Sequence, residues 1–254
     1  MREGMQEQGI DLRTEEGIYN RFVQEIRDRG DVLIERLLVG YFVFGLFLSM
    51  FYDTWFLGLS VGGLLLVLYF LAKKMFPNTS LNQYVASGVF GVFMGQYIYQ
   101  MHGLFEMHFF AFISATILIT YQNWKIQIPL AIVIVLHHAV FGYLQYLSFS
   151  TGSESSVYFT QLDYMDMQTF MFHCGLAVLI LLICAKWAMD LQKRTLNTSR
   201  NMVEIERMSD VMTRNLEFAS MLASGEEVEK LELHAQDDYM GMTLNQIHTR
   251  LSEK

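Results

Sequence analysis

The sequence predicts an all-α fold: an integral membrane six-helix bundle, preceded by an amphipathic N-terminal helix and followed by C-terminal helices on the cytoplasmic side. Three observations lead there. The 254-residue chain is 52% hydrophobic and only 17% charged, too apolar a mixture for an ordinary soluble surface. Its apolar residues gather into six runs of about 20, the length that crosses ~30 Å of hydrocarbon at 1.5 Å per residue. Its charges are concentrated at the two ends, the only basic residues between Leu37 and Cys184 being Lys73, Lys74 and Lys125. Helices are required because lone apolar strands would leave backbone groups unpaired in lipid.

Residues 1–32 are polar and charged, which argues against a cleavable signal peptide. Within them begins an amphipathic stretch, Glu15 to Arg36, with Ile18, Phe22, Ile26 and Leu33 on one stripe, suited to lying along the inner membrane face. The transmembrane domain is expected over residues 33–188. Its spans are Leu33 to Phe51 and Trp55 to Ala72, then Tyr84 to Met101 and Phe105 to Tyr121, and finally Ile126 to Phe149 and Met167 to Trp187. The longest external connection, Ser148 to Asp166, is polar and acidic and reads mainly as a wetted loop, with a partial lid as the alternative.

From residue 189 to 222 the chain is polar, helix-favouring and free of Gly and Pro, with a weak heptad register through Leu191, Ile205, Met212 and Ala219. Such a seam suits a parallel homodimer that can change packing. Ala223, Ser224 and Gly225 interrupt it, and in the last segment, residues 223–254, a second amphipathic helix begins near Asp237 with Met240, Leu244, Ile247 and Leu251 at helical spacing.

Orientation follows from the basic residues. Arg2, Arg13, Arg21, Arg27, Arg29 and Arg36 lie before or in the first turn of the first span, Lys73 and Lys74 follow the second, Lys125 follows the fourth, and Lys186, Lys193, Arg194 and Arg200 lie at or after the end of the sixth. The other connections carry none, so the positive-inside rule puts both termini in the cytoplasm, as in a bacterial inner membrane protein. A formal net charge of -8 without a basic cluster outside the termini disfavours nucleic acid as a partner. Cys174 and Cys184 share one apolar run, so no disulfide framework is implied.

Ionisable groups inside a bilayer are costly and mark functional sites. His102 ends the third span, His108 begins the fourth, His137 and His138 lie in the fifth and His173 in the sixth. All fall in the external half, with Glu106 beside them. Counting inward at 1.5 Å per residue puts His102 and Glu106 near the surface, His108 about 5 Å deep, His173 roughly 9 Å and the His137/His138 pair about 15 Å. The expected metal ligands are therefore His102, Glu106, His108, His137, His138 and His173. Adjacent His137 and His138 point about 100° apart, so both serve only if the site is wide or one acts from behind the other. Imidazole suits zinc, copper, iron and nickel, and the neighbouring Met101, Met107, Met171 and Cys174 tilt the expectation towards copper. The alternative cofactor is haem b, bridged by His108 and either His138 or His173. Gln96, Tyr97, Gln100 and Tyr143 are candidates for supporting roles.

Three strings carry a resemblance: MHGLFEMHFFAF, the YQNW that closes the fourth span, and VLHHAVFGYLQ. Through Glu106, His108, Phe109, Tyr121, Trp124, His137, His138 and Phe141, with Asn123 where an Asp is usual, the chain resembles the multispan sensory module at the N-termini of bacterial chemotaxis receptors, histidine kinases and cyclases. The helix, connector and helix after the last span resemble a HAMP-type linker, without the proline its first helix often carries. The resemblance implies a sensor rather than a stand-alone enzyme, passing a redox, metal or gas signal through the sixth span to a kinase, cyclase or chemotaxis output domain that is truncated or supplied in trans. The alternative is a membrane oxidoreductase with a di-metal or haem b centre. A metal transporter is disfavoured because the cytoplasmic halves of the spans carry no acidic step, and retinal chemistry because no span holds a lysine.

Overall fold

The structure is a computed structural model describing residues 15–77, 79–151, 157–161, 167–226, 228–233 and 238–253. Arg2 and Arg13, the acidic middle of the loop expected to be external and Asp237 lie outside the described residues. Among these residues there are seven α-helices and no strand: α1 Glu15–Tyr52, α2 Trp55–Met75, α3 Leu81–Gln100, α4 Phe109–Leu118, α5 Gln127–Thr151, α6 Met167–Ser224 and α7 Tyr239–Ser252. Short 3-10 turns flank α4 at Phe105–His108 and Ile119–Tyr121, and a third, Trp124–Ile126, leads into α5. The helices belong to two compact units, one of Val23–Arg194 and one drawn from Met1–Phe22 and Thr195–Lys254.

Two expectations about element ends change. The amphipathic stretch and the first apolar run form one 38-residue helix, with no break near residue 33, since nothing between them is a Pro and the single Gly30 costs only about 1 kcal/mol in a helix. The fourth run is a regular helix only in its middle. Among the described residues four helices are long and apolar enough to cross a membrane, at Glu16–Tyr52, Trp55–Met75, Trp124–Thr151 and Gln168–Ser224, while Phe105–Tyr121 is apolar but shorter. Helix α3, expected as the third span, is not among them.

The reason lies in the position of α3 within the larger unit. It packs against α2, α4 and α5, and its polar side chains Asn82, Gln83, Ser87, Gln96 and Gln100 are all buried. Small residues permit the close approach. A Cβ on Gly91 would come within 2.8 Å of Val133, and one on Gly95 within 3.0 Å of His137, both on α5. On α2, Gly58 and Gly62 play the same part, where a Cβ would meet Ser49 at 2.5 Å and Phe42 at 2.8 Å. Residues four apart share a helix face, so each glycine pair makes one flat strip.

Buried polar groups join the helices. Tyr97 donates to the Tyr41 carbonyl at 2.6 Å, and Gln100 Nε2 lies 2.9 Å from both the Gly45 carbonyl and Ser49 Oγ. Ser87 Oγ accepts from Leu130 N at 3.1 Å, joining α3 to the first turn of α5. At the other end of the unit, Asp31 of α1 accepts from Tyr121 at 2.7 Å and from Asn82 at 2.8 Å, and Glu35 pairs with Lys73. Around this interior, Val39, Val43 and Phe47 of α1, Leu64, Val67 and Leu68 of α2, and Ile132 and Val135 of α5 face outward. Phe56 is 85% exposed. Polar groups paired across an otherwise apolar core, with Val, Leu, Ile and Phe also on the outside, are compatible with a surface that faces lipid.

In the smaller unit, Asp238 caps α7 by accepting from Gly241 N at 2.8 Å, and its same oxygen takes a 2.8 Å bond from Asn215 of α6. Asn245 returns to both backbone groups of Leu231 at 2.8 Å. The described part of the connector is thus tied to both helices it joins.

Asp31→Ala removes the acceptor of two buried donors and is expected to cost roughly 1–3 kcal/mol, with Asp31→Asn costing less, read from thermal unfolding in detergent. Asp238→Ala should weaken the α6 to α7 connection by about 1 kcal/mol, seen as faster hydrogen exchange at the Gly241 amide.

Candidate metal centre

Three of the expected ligands converge. One ligand nitrogen from each of His108, His138 and His173 lies within 4.8 Å of the other two. They reach the centre from three elements: the 3-10 turn before α4, the middle of α5 and the second turn of α6. The His108 ring is 5.6 Å from that of His138 and 5.3 Å from that of His173, and the last two are 5.5 Å apart.

Backbone carbonyls set the ring states. His108 Nδ1 lies 3.2 Å from the Phe105 carbonyl, and His138 Nδ1 lies 2.8 Å from the Ile134 carbonyl. A carbonyl oxygen only accepts, so each Nδ1 carries the proton and each Nε2 presents a lone pair. The same carbonyl brace is the usual second partner of a metal-bound histidine. His138 Nε2 lies 3.3 Å from His173 Nε2. That contact is a hydrogen bond when His173 Nε2 holds a proton. With the proton on the other ring nitrogen of His173, both lone pairs face one point. A tetrahedral centre with metal–nitrogen bonds of ~2.0 Å separates two ligand atoms by about 3.3 Å. One pair already has that separation and all three ligand atoms lie within 4.8 Å of one another, so the three residues could hold a metal ion.

The surroundings are aromatic. The Phe105 ring lies 5.1 Å from that of His173, and Phe159 stands 5.0 Å from His138 and 5.6 Å from His108. Phe159 comes from residues 157–161, inside the connection between α5 and α6, and is buried. Gln145 of α5 holds it there, its Oε1 accepting from Phe159 N and Thr160 N at 2.8 Å and its Nε2 donating to the Thr160 carbonyl at 2.7 Å. Gly103 helps: its φ is +81°, and a Cβ would come within 2.5 Å of Thr160 backbone, so no larger residue fits the turn. This part of the connection covers the histidines and is not a wetted loop. Sequence reasoning missed Phe159, Gln145 and Phe105, because an aromatic or an amide in a connection has no spacing signal.

The other expected ligands stand apart. Glu106 is exposed, since a 3-10 turn advances about 120° per residue and positions two apart cannot share a face. His102 has a left-handed φ of 51° and stacks between Tyr52 at 3.9 Å and Tyr158 at 4.2 Å, outside the three-histidine group. His137 points away from His138 by the helix rotation and packs on Phe141, ring centroids 4.7 Å apart. Tyr97, Gln96 and Gln100 serve the interior contacts of α3, and Tyr143 is exposed. At the other end of the unit, Asn123 Oδ1 accepts from Lys125 N at 3.1 Å, capping the turn into α5 as an aspartate there would.

His138→Ala should weaken copper or zinc binding by roughly 100-fold or more, beyond the ~10–100-fold typical for loss of an outer partner. His102→Ala and Glu106→Gln should leave it unchanged, all measured by competition with a chelating dye.

No protein-family model, curated protein or solved structure matches this chain.

Proposed function

We propose that this chain is the membrane-embedded sensory part of a receptor, in which His108, His138 and His173 hold a transition metal and the sixth helix carries its state onward. One observation supports this above the rest: the centre draws a ligand from α6, and α6 runs unbroken from Met167 to Ser224. A ligand fixed near the start of such a helix couples occupancy of the centre to the position of everything that follows on the same rod.

In this reading all six expected spans insert, with α3 largely covered by its neighbours and Phe109 and Ile113 of α4 turned to lipid, both termini are cytoplasmic, and the membrane is a bacterial inner membrane. Copper is the preferred ion, being the tightest-bound divalent metal at an imidazole site, with zinc and iron as the alternatives. Three rings within 5.6 Å of one another favour a bare ion over haem b, because a macrocycle needs an open slot between two axial rings, and the third imidazole and Phe159 occupy that space. The copies pair through the part of α6 beyond the membrane, and a kinase, cyclase or chemotaxis domain reads the change. The signal is redox or metal state, and coupling exists to the extent that the two packings of α6 differ in affinity for the ion.

The test is a protein purified without added metal, analysed by mass spectrometry for bound metals and by visible spectroscopy for haem. A stoichiometric metal without a Soret band is expected; neither in folded protein overturns the reading. Nitroxide labels at Glu217 should then show an inter-copy distance that changes on metal loading in the wild type and stays constant in His173→Ala.

A further inference from the structure

Residues 157–161, described within the connection between α5 and α6, form neither helix nor strand, yet Phe159 is 5% exposed and Thr160 7%. Three anchors hold them. Gln145 of α5, itself buried, bonds the backbone of Phe159 and Thr160. Gln161 N donates to the Gly103 carbonyl at 3.1 Å, and its side-chain amide donates to the Met101 carbonyl at 3.3 Å. The Tyr158 ring stacks on His102, the expected ligand that stands outside the metal centre, with 16° between the ring planes. His102 lies in turn against Tyr52 at the end of α1. Held in this way, Phe159 faces the rings of His108, His137 and His138.

A cation bound for the three histidines has few ways in. His108 is buried. Leu136 and Val140, which flank His138 along α5, and Phe172 and Leu176, which flank His173 along α6, are exposed and apolar. In the proposed membrane arrangement lipid lies against them, and a bare ion does not cross it. The side that remains is the one Phe159 covers. None of the anchoring bonds belongs to a helix ladder, so all of them can be released while α3, α5 and α6 stay intact, a local opening that costs less than unfolding.

We propose that residues 157–161 are a cap that must lift for a metal ion to enter or leave the three-histidine centre, with Gln145 and His102 as the positioning residues that keep it docked. The proposal rests on the metal-binding reading of that centre. Gln145 lies two helical turns beyond His138, so the ligand and the latch share one face of α5. It acts through the backbone of Phe159 and Thr160, and His102 acts through the Tyr158 ring. Neither residue touches the ion. Weakening either one therefore raises the rates of entry and release together and leaves the affinity as it was.

The test uses the full chain in phosphatidylcholine nanodiscs. Copper(II) entry is timed by stopped-flow quenching of intrinsic fluorescence, and release by transfer to excess chelating dye. Gln145→Leu, which removes three hydrogen bonds, should speed both by roughly tenfold or more. His102→Asn tolerates the left-handed backbone but loses the ring, and should speed both by about threefold. The affinity of each variant should match the wild type. In metal-free protein, hydrogen exchange of peptides spanning 157–161 should be slow in the wild type and faster in both variants. Wild-type copper rates in variants whose segment exchanges faster overturn the proposal, as does a wild-type segment that exchanges like free backbone. Faster release with unchanged entry also overturns it, making the segment a support for the ion instead of a gate. No copper uptake by the wild type removes the metal-binding reading and the cap with it, whereas uptake at rates the variants leave alone removes the cap only. Should Gln145→Leu fail to fold, judged by gel filtration, His102→Asn decides.

Discussion

Inside an apolar bundle, a buried amide, hydroxyl or imidazole can bond only to other protein groups, in its own helix or in a neighbour, and that shortage of partners organises the larger unit. Gln100 reaches the Gly45 carbonyl and Ser49, Tyr97 reaches the Tyr41 carbonyl, and Ser87 receives the Leu130 amide. Each bond between helices in such surroundings contributes about 0.6 kcal/mol on average. Their greater effect is on alignment, because sliding α3 along either neighbour would strand several polar groups together. Glycines at 58, 62, 91 and 95 bring the backbones close enough for these short side chains to meet.

The histidine centre obeys the same constraint. His108 and His138 each spend one nitrogen on a carbonyl close by in the chain, which leaves the other nitrogen of each free to meet His173. Phe105 and Phe159 close the sides, and Gln145 holds the covering segment by three bonds to its backbone. A cation placed there would satisfy three lone pairs in a setting where water is scarce. His137, with neither ring nitrogen partnered, and the unpaired amide oxygens of Asn82, Gln96 and Gln127 break the pattern of paired polar groups.

Much of this was legible in the chain. Long apolar runs, basic residues on alternate connections and histidines confined to one half of the spans are properties of composition and order, and they lead to an all-helical protein with helices able to cross a membrane. Depth arithmetic put His108 and His138 about 10 Å apart, since it assumed that every span begins at one level and is a regular helix. In the structure the two rings lie 5.6 Å apart, and that offset is absent. Glu106 and His102 sat beside the right residues in sequence and face elsewhere, for reasons of local backbone rotation that hydropathy does not record.

The sequence by itself determined which segments are helical, which residues are apolar enough to face lipid, and which side chains carry metal chemistry, because these follow from residue type and short-range spacing. Only the tertiary structure decided that α3 lies at the centre with its amides turned inward, that three histidines out of five meet, and that Phe159 covers them. Those outcomes depend on the rotation of each helix about its axis and on contacts between residues far apart in the chain, which pairings across the bundle set and no single segment contains.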